Sequence, residues 1–241
     1  MRTVIRVENG LKIFNDKTIF EDFNYTFQSN KITGLIGASG AGKTTLIKCM
    51  IGMESFDAGQ AFFGDIKGPN RELFGNIGYM AQSDALYETL TGYENVKFFL
   101  DLYDCDKKLK KVRIKDALDF VNLWNERNKK VSEYSGGMKR RLSLALAFVH
   151  NPTYLVLDEP TIGIDPKLRK TIWDTMHEEK KSGKTILVTT HVLDEAEKCD
   201  ALILLHNGKV IAEGSPADIK KEFNVNTIES VFLSIGDDSD A

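Results

Sequence analysis

A glycine-rich stretch near the N-terminus has the residue types and the spacing of a phosphate-binding loop. It fits the pattern G-x-x-x-x-G-K-[ST] and consists of Gly37, Ala38, Ser39, Gly40, Ala41, Gly42, Lys43, Thr44 and Thr45. Its glycines allow successive backbone N–H groups to point at phosphate oxygens, and a helix that starts directly after it adds partial positive charge. We expect Lys43 to reach the β- and γ-phosphates of a nucleotide and the Thr44 hydroxyl to bind Mg²⁺.

The residues on both sides of this loop predict the elements that such a site needs. Residues 31–36 are short and apolar enough for a buried strand, and apolar residues recur at helical spacing from residue 45 to residue 51. Gly52 is the predicted end of that helix. The alternative interpretation is a glycine-rich turn before a core helix, and the strand–loop–helix order favours phosphate binding over it.

Two adjacent carboxylates, Asp158 and Glu159, follow the continuously apolar residues 154–157. Such apolar runs are typical of parallel strands that are buried on both faces, and α/β sheets place ligands at the carboxyl ends of these strands. We expect Asp158 to hold Mg²⁺ through a water molecule and Glu159 to polarise the water that attacks the γ-phosphate. An acidic turn without a role is the alternative, and the phosphate loop elsewhere in the chain argues against it.

A second helix start has the features of an anion site. Residues 134–138 (Tyr-Ser-Gly-Gly-Met) precede a predicted helix over residues 139–149, and Ser135 is suited to cap that helix. The two glycines leave the first N–H groups of the helix unobstructed. A flexible loop is the alternative interpretation of a lone Ser-Gly-Gly. A single compact core has little reason to direct both sites at one nucleotide, so the sequence favours two copies that meet head to tail.

In their order along the chain these motifs resemble those of the nucleotide-binding subunit of ATP-binding cassette (ABC) transporters, and the match covers nearly the whole chain. Residues 134–138 resemble the family signature Leu-Ser-Gly-Gly-Gln, and residues 158–159 resemble the end of the Walker B motif. Gln82, which would otherwise be taken for an ordinary loop residue, matches the glutamine of the Q-loop. Residues 162–165 resemble the D-loop, and His191 resembles the switch histidine.

The resemblance implies a sandwich dimer in which each ATP lies between the phosphate loop of one subunit and the signature of the other. The subunit that holds the phosphates would contribute Phe14, residues 37–45, Gln82, Asp158, Glu159 and His191. The other subunit would contribute Ser135, Gly136, Gly137, Met138 and Asp165. The Mg²⁺ site would consist of Thr44, Gln82 and Asp158. Gln82 would also sense the attacking water and couple the site to the helical region, and His191 would contact the γ-phosphate.

A few positions depart from the family pattern or leave an alternative open. Met138 stands where the family has glutamine, which removes one hydrogen-bonding side chain, and Ile162 replaces a small or hydroxylated residue. Together with Tyr134 and residues 227–233, these variants resemble the drug- and antibiotic-export branch of the family. Phe14 lies where the family places an aromatic residue that stacks on adenine, and core packing is its alternative role.

Strands that alternate with helices predict an α/β fold. We expect a P-loop NTPase core with a mostly parallel sheet, an N-terminal antiparallel β subdomain and an inserted α-helical subdomain. The predicted divisions of a single ABC ATPase domain (residues 1–241) are a catalytic core of residues 1–83 and 151–220, a helical subdomain of residues 84–150 and a short C-terminal extension of residues 221–241.

Periodicity and turn residues predict the bounds of the elements. Strands are predicted over residues 3–8, 23–28, 60–63, 75–80, 154–157 and 185–190, and in a hairpin over residues 201–205 and 209–213. Helices are predicted over residues 45–51, 88–103, 108–125, 139–149, 165–183 and 194–199. Residues 64–72 are predicted to form a loop, and the acidic residues 237–241 a frayed tail.

Composition and charge narrow the classes of partner. The chain has 241 residues, of which 42% are apolar and 28% charged, as in an ordinary soluble globular protein. A formal net charge of −3 gives no basic excess, so we expect no nucleic-acid partner. Three widely spaced cysteines indicate a reducing cytosol. The sequence has no signal-peptide stretch and no apolar run of the ~18 residues that a membrane helix needs. We therefore expect a cytoplasmic protein held at the inner face of the cell membrane by other subunits.

The resemblance implies an ATPase that dimerises around two Mg·ATP, with an identical or a different second ABC subunit. It would power transport through a separate integral membrane permease, and the branch indicates export of a small molecule, drug or lipid. The first alternative is a non-transport ABC ATPase that acts on ribosomes or DNA, although such proteins usually carry two cassettes or a long coiled-coil insert. The second is a small-molecule kinase, which leaves residues 134–138 unexplained. The aromatic residues within 85–103 predict either a groove for the permease's coupling helix or core packing of the helical region.

Overall fold

The computed structural model describes residues 4–83, 85–103 and 105–237. Its strands, in chain order, are β1 (Ile5–Phe14), β2 (Lys17–Phe27), β3 (Ile32–Ile36), β4 (Ala58–Phe63), β5 (Ile66–Gly68), β6 (Ile77–Met80), β7 (Tyr154–Asp158), β8 (Thr185–Thr190), β9 (Ala201–His206) and β10 (Lys209–Gly214). Its α-helices are α1 (Lys43–Ile51), α2 (Gly92–Asp101), α3 (Lys107–Phe120), α4 (Gly136–Phe148), α5 (Pro166–Lys181), α6 (Leu193–Ala196), α7 (Pro216–Glu222) and α8 (Ile228–Asp237). This mixture of strands and helices is the α/β composition that the sequence predicts.

The larger sheet has six strands in the described part of the chain, in the order β10-β9-β3-β8-β7-β6. β3 pairs in parallel with β8 and β9, and β7 pairs in parallel with β6 and β8, while β10 is antiparallel to β9. The prediction of a mostly parallel sheet is therefore confirmed. Because β3, β8, β7 and β6 are neighbours that run in one direction, their carboxyl ends meet at one edge of the sheet.

A smaller antiparallel sheet, in the order β2-β1-β4-β5, confirms the predicted N-terminal β subdomain. β1 extends six residues beyond the predicted strand 3–8, and residue 3 lies outside the described residues. The predicted loop over residues 64–72 is wrong, since it contains β5 and a 3₁₀ turn, Arg71–Leu73. β5 is a three-residue edge strand paired with β4, and so short a strand has no alternation that its sequence could reveal.

The central sheet separates two hydrophobic clusters, because side chains alternate between the faces of each strand. One face packs on α4 and α5 and carries Ile32, Ile36, Leu155, Leu157, Ile186 and Val188. The other face packs on α1 and the antiparallel sheet and carries Leu35, Val156, Leu187, Ile203 and Leu205. Because both faces of the sheet are covered, β7 and β8 are entirely buried, and each has a run of at least three consecutive apolar residues.

The helical region lies between β6 and β7 in sequence, as predicted. α2 and α3 are shorter than predicted, whereas α4 begins three residues before the predicted helix 139–149 and ends one residue before its end. α2 begins at residue 92 rather than 88, because Thr91 and Glu94 form a capping box in which each side chain binds the other's backbone N–H. α3 ends at residue 120 rather than 125, and a 3₁₀ turn, Trp124–Glu126, follows it. Helix α4 contacts α2 and α3 as well as β6 and β7, so it joins the helical region to the sheet.

The predicted helix caps and the predicted hairpin are confirmed. Ser135 Oγ accepts the Met138 N–H at the start of α4, and Asp165 Oδ1 accepts the Leu168 N–H at the start of α5. Asn207 and Gly208, with φ of 47° and 75°, form the two-residue turn between β9 and β10. The helix predicted over residues 194–199 is shorter and begins one residue earlier, as α6.

Among the described residues, no helix combines the length and the apolar character that a membrane span requires. The predicted frayed tail, residues 237–241, lies outside the described residues except for Asp237, which ends α8. Residues 227–233, which resemble an export-branch segment, form the start of α8, where Thr227 Oγ1 accepts the Ser230 N–H.

Candidate active site

A cavity of about 720 Å³ lies at the carboxyl ends of four adjacent strands. The glycine loop follows β3, Gln82 follows β6, Glu159 follows β7 and His191 follows β8. The residues that line the cavity are Lys17, Ile19, Ser39, Gly40, Gly42, Lys43, Thr44, Thr45, Gln82, Glu159 and His191. The parallel sheet thus brings together side chains that lie far apart in sequence, at the edge where α/β sheets bind ligands. Lys17 and Ile19, from β2, are lining residues that the sequence reasoning missed.

The backbone of the glycine loop requires glycine at two positions. Gly42 precedes α1 with a φ of 99°, a left-handed conformation that favours glycine. At Gly37 a Cβ atom would lie 2.2 Å from the Leu205 carbonyl oxygen, so no side chain fits there. The loop therefore packs tightly on β9 directly before the start of α1.

Lys43 is buried and folds back onto its own loop. Its Nζ donates to the carbonyl oxygens of Gly37 (2.7 Å) and Ala38 (2.9 Å). Burial lowers the pKa of Lys43, and the nearby carboxylates of Glu159 and Asp158 partly oppose this effect. A positive charge is thus held at the bottom of the cavity with two uncharged acceptors, which phosphate oxygens can replace.

Asp158 accepts hydrogen bonds from two threonine hydroxyls and is only 1% exposed. Thr44 Oγ1 donates to Asp158 Oδ2 (2.8 Å), and Thr189 Oγ1 donates to Asp158 Oδ1. Two of the three residues predicted to bind Mg²⁺ are therefore in direct contact. The third, Gln82, is exposed and directs its amide at the neighbouring carboxylate of Glu159.

Glu159 holds an uncommon backbone conformation, with a φ of 54°. A glutamate in the left-handed region is strained by roughly 1–3 kcal/mol, and such strain concentrates at functional sites. The Glu159 N–H donates to both the carbonyl oxygen and Oγ1 of Thr189, at 3.2 and 3.0 Å. Its carboxylate lies between Gln82 Nε2 (3.4 Å) and His191 Nδ1 (3.0 Å). Three of the four side chains predicted to act in catalysis thus form one cluster, and the fourth is that of Lys43.

Arg140, on α4, holds the backbone behind this cluster, and the sequence reasoning missed it. Its guanidinium donates to the carbonyl oxygens of Ala81 (2.6 Å), Gln82 (2.9 Å) and Glu159 (2.7 Å), and to that of Asp158. The side chain is buried, with 8% of the residue exposed. The planar guanidinium group therefore links the backbone around Gln82 to the backbone around Glu159. The signal in the sequence is weak: an arginine that falls on the same helix face as Leu144 and Ala147.

The residues predicted to act in the second subunit do not line this cavity. Ser135 and Gly136 are exposed, and a Cβ atom at Gly136 would meet no heavy atom of the described residues within 4 Å. Gly137 lies beside the loop that leads to Asp165, since its Cβ atom would lie 3.4 Å from the Gly163 carbonyl oxygen. The start of α4 and the start of α5 therefore form one exposed surface that is separate from the cavity.

Phe14 lies at the end of β1, is 40% exposed and does not line the cavity. Lys12 Nζ lies 4.7 Å from the centre of its ring. Core packing, the alternative role for this side chain, does not agree with its exposure.

Comparisons with known proteins agree with this geometry. The family model described as "ABC transporter" matches residues 20–162. The "Nod factor export ATP-binding protein I" of Burkholderia lata is 39% identical over 229 residues, which cover 93% of this chain and 75% of that protein. A structure titled "Structure of ATP binding subunit of ABC transporter" superposes with a TM-score of 0.91 at 27% identity, covering 97% of this chain and all of the other. The "Dimeric Structure of MJ0796, a Bacterial ABC Transporter Cassette" superposes with a TM-score of 0.81 at 25% identity, covering 88% of this chain and 98% of the other.

Replacing Arg140 by lysine should slow ATP hydrolysis without weakening ATP binding. Lysine keeps the positive charge but cannot reach four carbonyl oxygens from one plane, so Gln82 and Glu159 would lose their fixed spacing. We expect kcat to fall by about 10- to 100-fold and KM to change less than about 3-fold. The measurement is steady-state ATP hydrolysis by the purified variant.

The matched control is Arg113→Lys on α3, because Arg113 also donates to a backbone carbonyl, that of His150, but lies away from the cavity. It should hydrolyse ATP at the original rate. A wild-type kcat for Arg140→Lys would show that the Arg140 guanidinium does not position Gln82 and Glu159 for hydrolysis.

Proposed function

The chain belongs to the ABC transporter family, and we propose that it is the ATP-hydrolysing subunit that powers export through a separate membrane permease. The observation that carries the proposal is the cluster of Glu159, Gln82 and His191 at the mouth of the glycine loop. Export, rather than import, is supported by the relative from Burkholderia lata, whose name describes it as an export ATP-binding protein.

The proposed reaction is in-line attack of water on the γ-phosphate of ATP. Glu159 accepts a proton from the water while the water oxygen bonds to the γ-phosphorus. The bond between the γ-phosphorus and the oxygen that bridges it to the β-phosphate breaks, which releases ADP and inorganic phosphate. Gln82 and His191 orient Glu159 from both sides, and His191 then faces the γ-phosphate. Lys43 exchanges its bonds to Gly37 and Ala38 for phosphate oxygens. The remaining loop residues (37–42, 44 and 45) cradle the phosphates through their N–H groups.

The residues proposed to hold Mg²⁺ are Thr44, Gln82 and Asp158, with Asp158 acting through a water molecule. The hydroxyl of Thr44 and the carboxylate of Asp158 are already 2.8 Å apart, and both supply the hard oxygen atoms that Mg²⁺ prefers. A bound Mg²⁺ ion would neutralise charge on the β- and γ-phosphates.

We further propose that each nucleotide is shared between two subunits, with Phe14 against the adenine. The second subunit would contribute Ser135, Gly136, Gly137, Met138 and Asp165. This proposal is supported by their position on an exposed surface away from the chain's own cavity, and by the dimeric state of the MJ0796 cassette.

A groove of about 600 Å³ beside Gln82 is the proposed docking site for a cytoplasmic helical segment of the permease. It lies between α1, α2, α4 and the edge strand β6, and its lining includes Met53, Phe74, Met80, Phe99, Tyr103 and Leu146. Burial lowers the pKa of His150, another lining residue, to about 4, so its ring is neutral at physiological pH. Of the described residues that line the groove, only Arg71 is charged, and the mostly apolar remainder suits an apolar helix face.

Contact in this groove would reach the catalytic cluster directly. Ala81 and Ser83, on either side of Gln82, both line the groove, and Gln82 lines the ATP cavity. A partner that moves this segment therefore moves a side chain that contacts Glu159. The protein would thus act at the inner face of the cell membrane.

As functional units we propose the catalytic core (1–83 and 151–220), the helical subdomain (84–150) and the C-terminal extension (221–241).

Glu159→Gln should leave ATP binding intact and remove most hydrolysis. The amide keeps the size of the side chain but cannot accept the proton, so kcat should fall by about 10²- to 10⁴-fold, the usual contribution of a general base. Steady-state hydrolysis and ATP titration measure the two effects. Glu222→Gln, an exposed change on α7, is the control. An unchanged rate would assign the role of base to another residue.

Two inactive variants should restore activity when they are mixed. Lys43→Ala removes the phosphate loop function, and Ser135→Arg blocks the surface that faces the partner's nucleotide. Each homodimer should be inactive, whereas a mixed dimer contains one intact site, formed by the loop of the Ser135→Arg chain and the signature of the Lys43→Ala chain. We expect ATP hydrolysis to reappear upon mixing. Continued inactivity would contradict the shared site.

Charge placed in the groove should release the permease without changing basal hydrolysis. Met53 and Phe74 are 59% and 68% exposed at its rim, so Met53→Glu and Phe74→Glu are tolerable in the free chain. The control is Val112→Glu, because Val112 is 54% exposed on α3 outside the groove. The measurement is the identity and amount of the protein that co-purifies from detergent-solubilised membranes.

We expect a protein with several membrane-spanning segments to be retained by Val112→Glu and lost from both groove variants. Equal retention by all three would disprove docking in this groove. Co-purification of ribosomes or DNA instead would favour the non-transport alternative.

A further inference from the structure

A buried carboxylate lies directly behind the catalytic cluster. Glu195, on α6, is 1% exposed. Burial of a charged carboxylate costs several kcal/mol unless hydrogen bonds and opposite charge compensate for it. Thr161 Oγ1 donates to Oε1 (2.6 Å), Thr190 Oγ1 donates to Oε2 (2.8 Å), and Arg169 Nε lies 3.9 Å from Oε1. Each oxygen of the Glu195 carboxylate therefore accepts a hydrogen bond from one threonine.

The two threonines belong to two different parts of the proposed machinery. Thr161 lies in the loop of residues 160–165, which we call the Asp165 loop, and its carbonyl oxygen accepts the Ile164 N–H (3.2 Å). Arg169 also donates to the Ile164 carbonyl oxygen (3.2 Å), which fixes the far end of this loop. Thr190 directly precedes His191, and its hydroxyl also accepts the Val192 N–H (2.9 Å). Glu195 thus joins the Asp165 loop to the backbone that carries His191.

We propose that Glu195 is a positioning residue that couples the two nucleotide sites of the dimer. This inference rests on the proposed function, in which Asp165 serves the partner's nucleotide and His191 serves the nucleotide of its own chain. A shift of the Asp165 loop, caused by the nucleotide in one site, moves Thr161 and therefore Glu195. Because Glu195 also holds Thr190, the same shift reaches His191 in the other site.

A carboxylate suits this role because both hydroxyls act as donors and both of its oxygens accept. Glutamine has only one accepting oxygen, and its NH₂ group would have to donate to a threonine oxygen. The Thr190 oxygen already accepts the Val192 N–H. Glu195→Gln should therefore weaken one of the two links, because the threonine that faces the NH₂ group loses its acceptor, while the volume of the side chain is kept.

The mixed dimer of Ser135→Arg and Lys43→Ala chains tests the coupling. Its one intact site takes His191 from the Ser135→Arg chain and the Asp165 loop from the Lys43→Ala chain. In the Ser135→Arg chain, the Asp165 loop faces only the inactive site. Thr161→Val in that chain removes the hydrogen bond from Thr161 to Glu195. The substituted side chain itself does not belong to the intact site.

We expect hydrolysis by the intact site to fall about 10-fold in this mixed dimer, within the usual range of coupling between sites. Thr190→Val in the Lys43→Ala chain, whose His191 faces the inactive site, should have the same effect. Glu195→Gln should lower the rate from either chain. Thr161→Ser, which keeps the hydroxyl, should restore it. ATP affinity should stay within about 2-fold of the unmodified mixed dimer, because these residues do not line the cavity.

The matched control is Thr33→Val in the same chain. Thr33 is also a buried threonine, but its hydroxyl has no hydrogen-bond partner among the described residues, so valine should leave the rate unchanged. An unchanged rate for Thr161→Val in the Ser135→Arg chain, together with a lower rate in the Lys43→Ala chain, would overturn the coupling. A lower rate that is accompanied by weaker ATP binding would overturn it as well. An unmodified mixed dimer without activity would reject the shared site itself, and the coupling with it.

Discussion

The geometry of the site depends on how the backbone is held where β7 ends. Asp158 and Glu159 are consecutive, yet one carboxylate is buried against Thr44 and Thr189 and the other enters the cavity. The left-handed conformation of Glu159 makes this divergence possible, and it would not persist without support. Thr189 binds the N–H group of Glu159, and Arg140 binds the carbonyl group. The strain at one residue is thus offset by contacts from a neighbouring strand and from a helix of the helical region.

Several charged side chains are buried near the cavity, and the need to compensate these charges is a second constraint on the structure of the site. Lys43, Arg140, Asp158 and Glu195 are all at least nine-tenths buried within a short distance of the cavity. Hydrogen bonds to backbone or hydroxyl groups help to compensate each of these charges. Neutral partners can be exchanged at lower cost than a tightly paired opposite charge. This arrangement suits a site in which a highly charged ligand must enter, rearrange these contacts and leave.

The sequence predicted the parts of this site that depend on local pattern. The glycine loop, the strand before it and the caps at Ser135 and Asp165 each carry their signal within a few residues. The convergence of Gln82, Glu159 and His191 was predicted only through family resemblance, because it depends on the order of strands in the sheet. Arg140 and Glu195 were missed, since their contacts to backbone or threonine groups follow no sequence pattern. The short edge strand β5 was missed because pairing with β4, rather than its own composition, makes it a strand.

Helix α4 connects the surface proposed to meet the partner's nucleotide with the groove proposed for the permease. Its first residues are exposed at the surface proposed to meet the partner's nucleotide, while Arg140, one turn later, binds the backbone of Gln82 and Glu159. Further along the same helix, Ser143 and Leu146 line the groove proposed for the permease. A helix of 13 residues is stiff over this length. A partner nucleotide at its start and a permease segment along its side would therefore act on one rigid element. That element holds the backbone of Glu159, the proposed general base, so hydrolysis would be sensitive to both contacts at once.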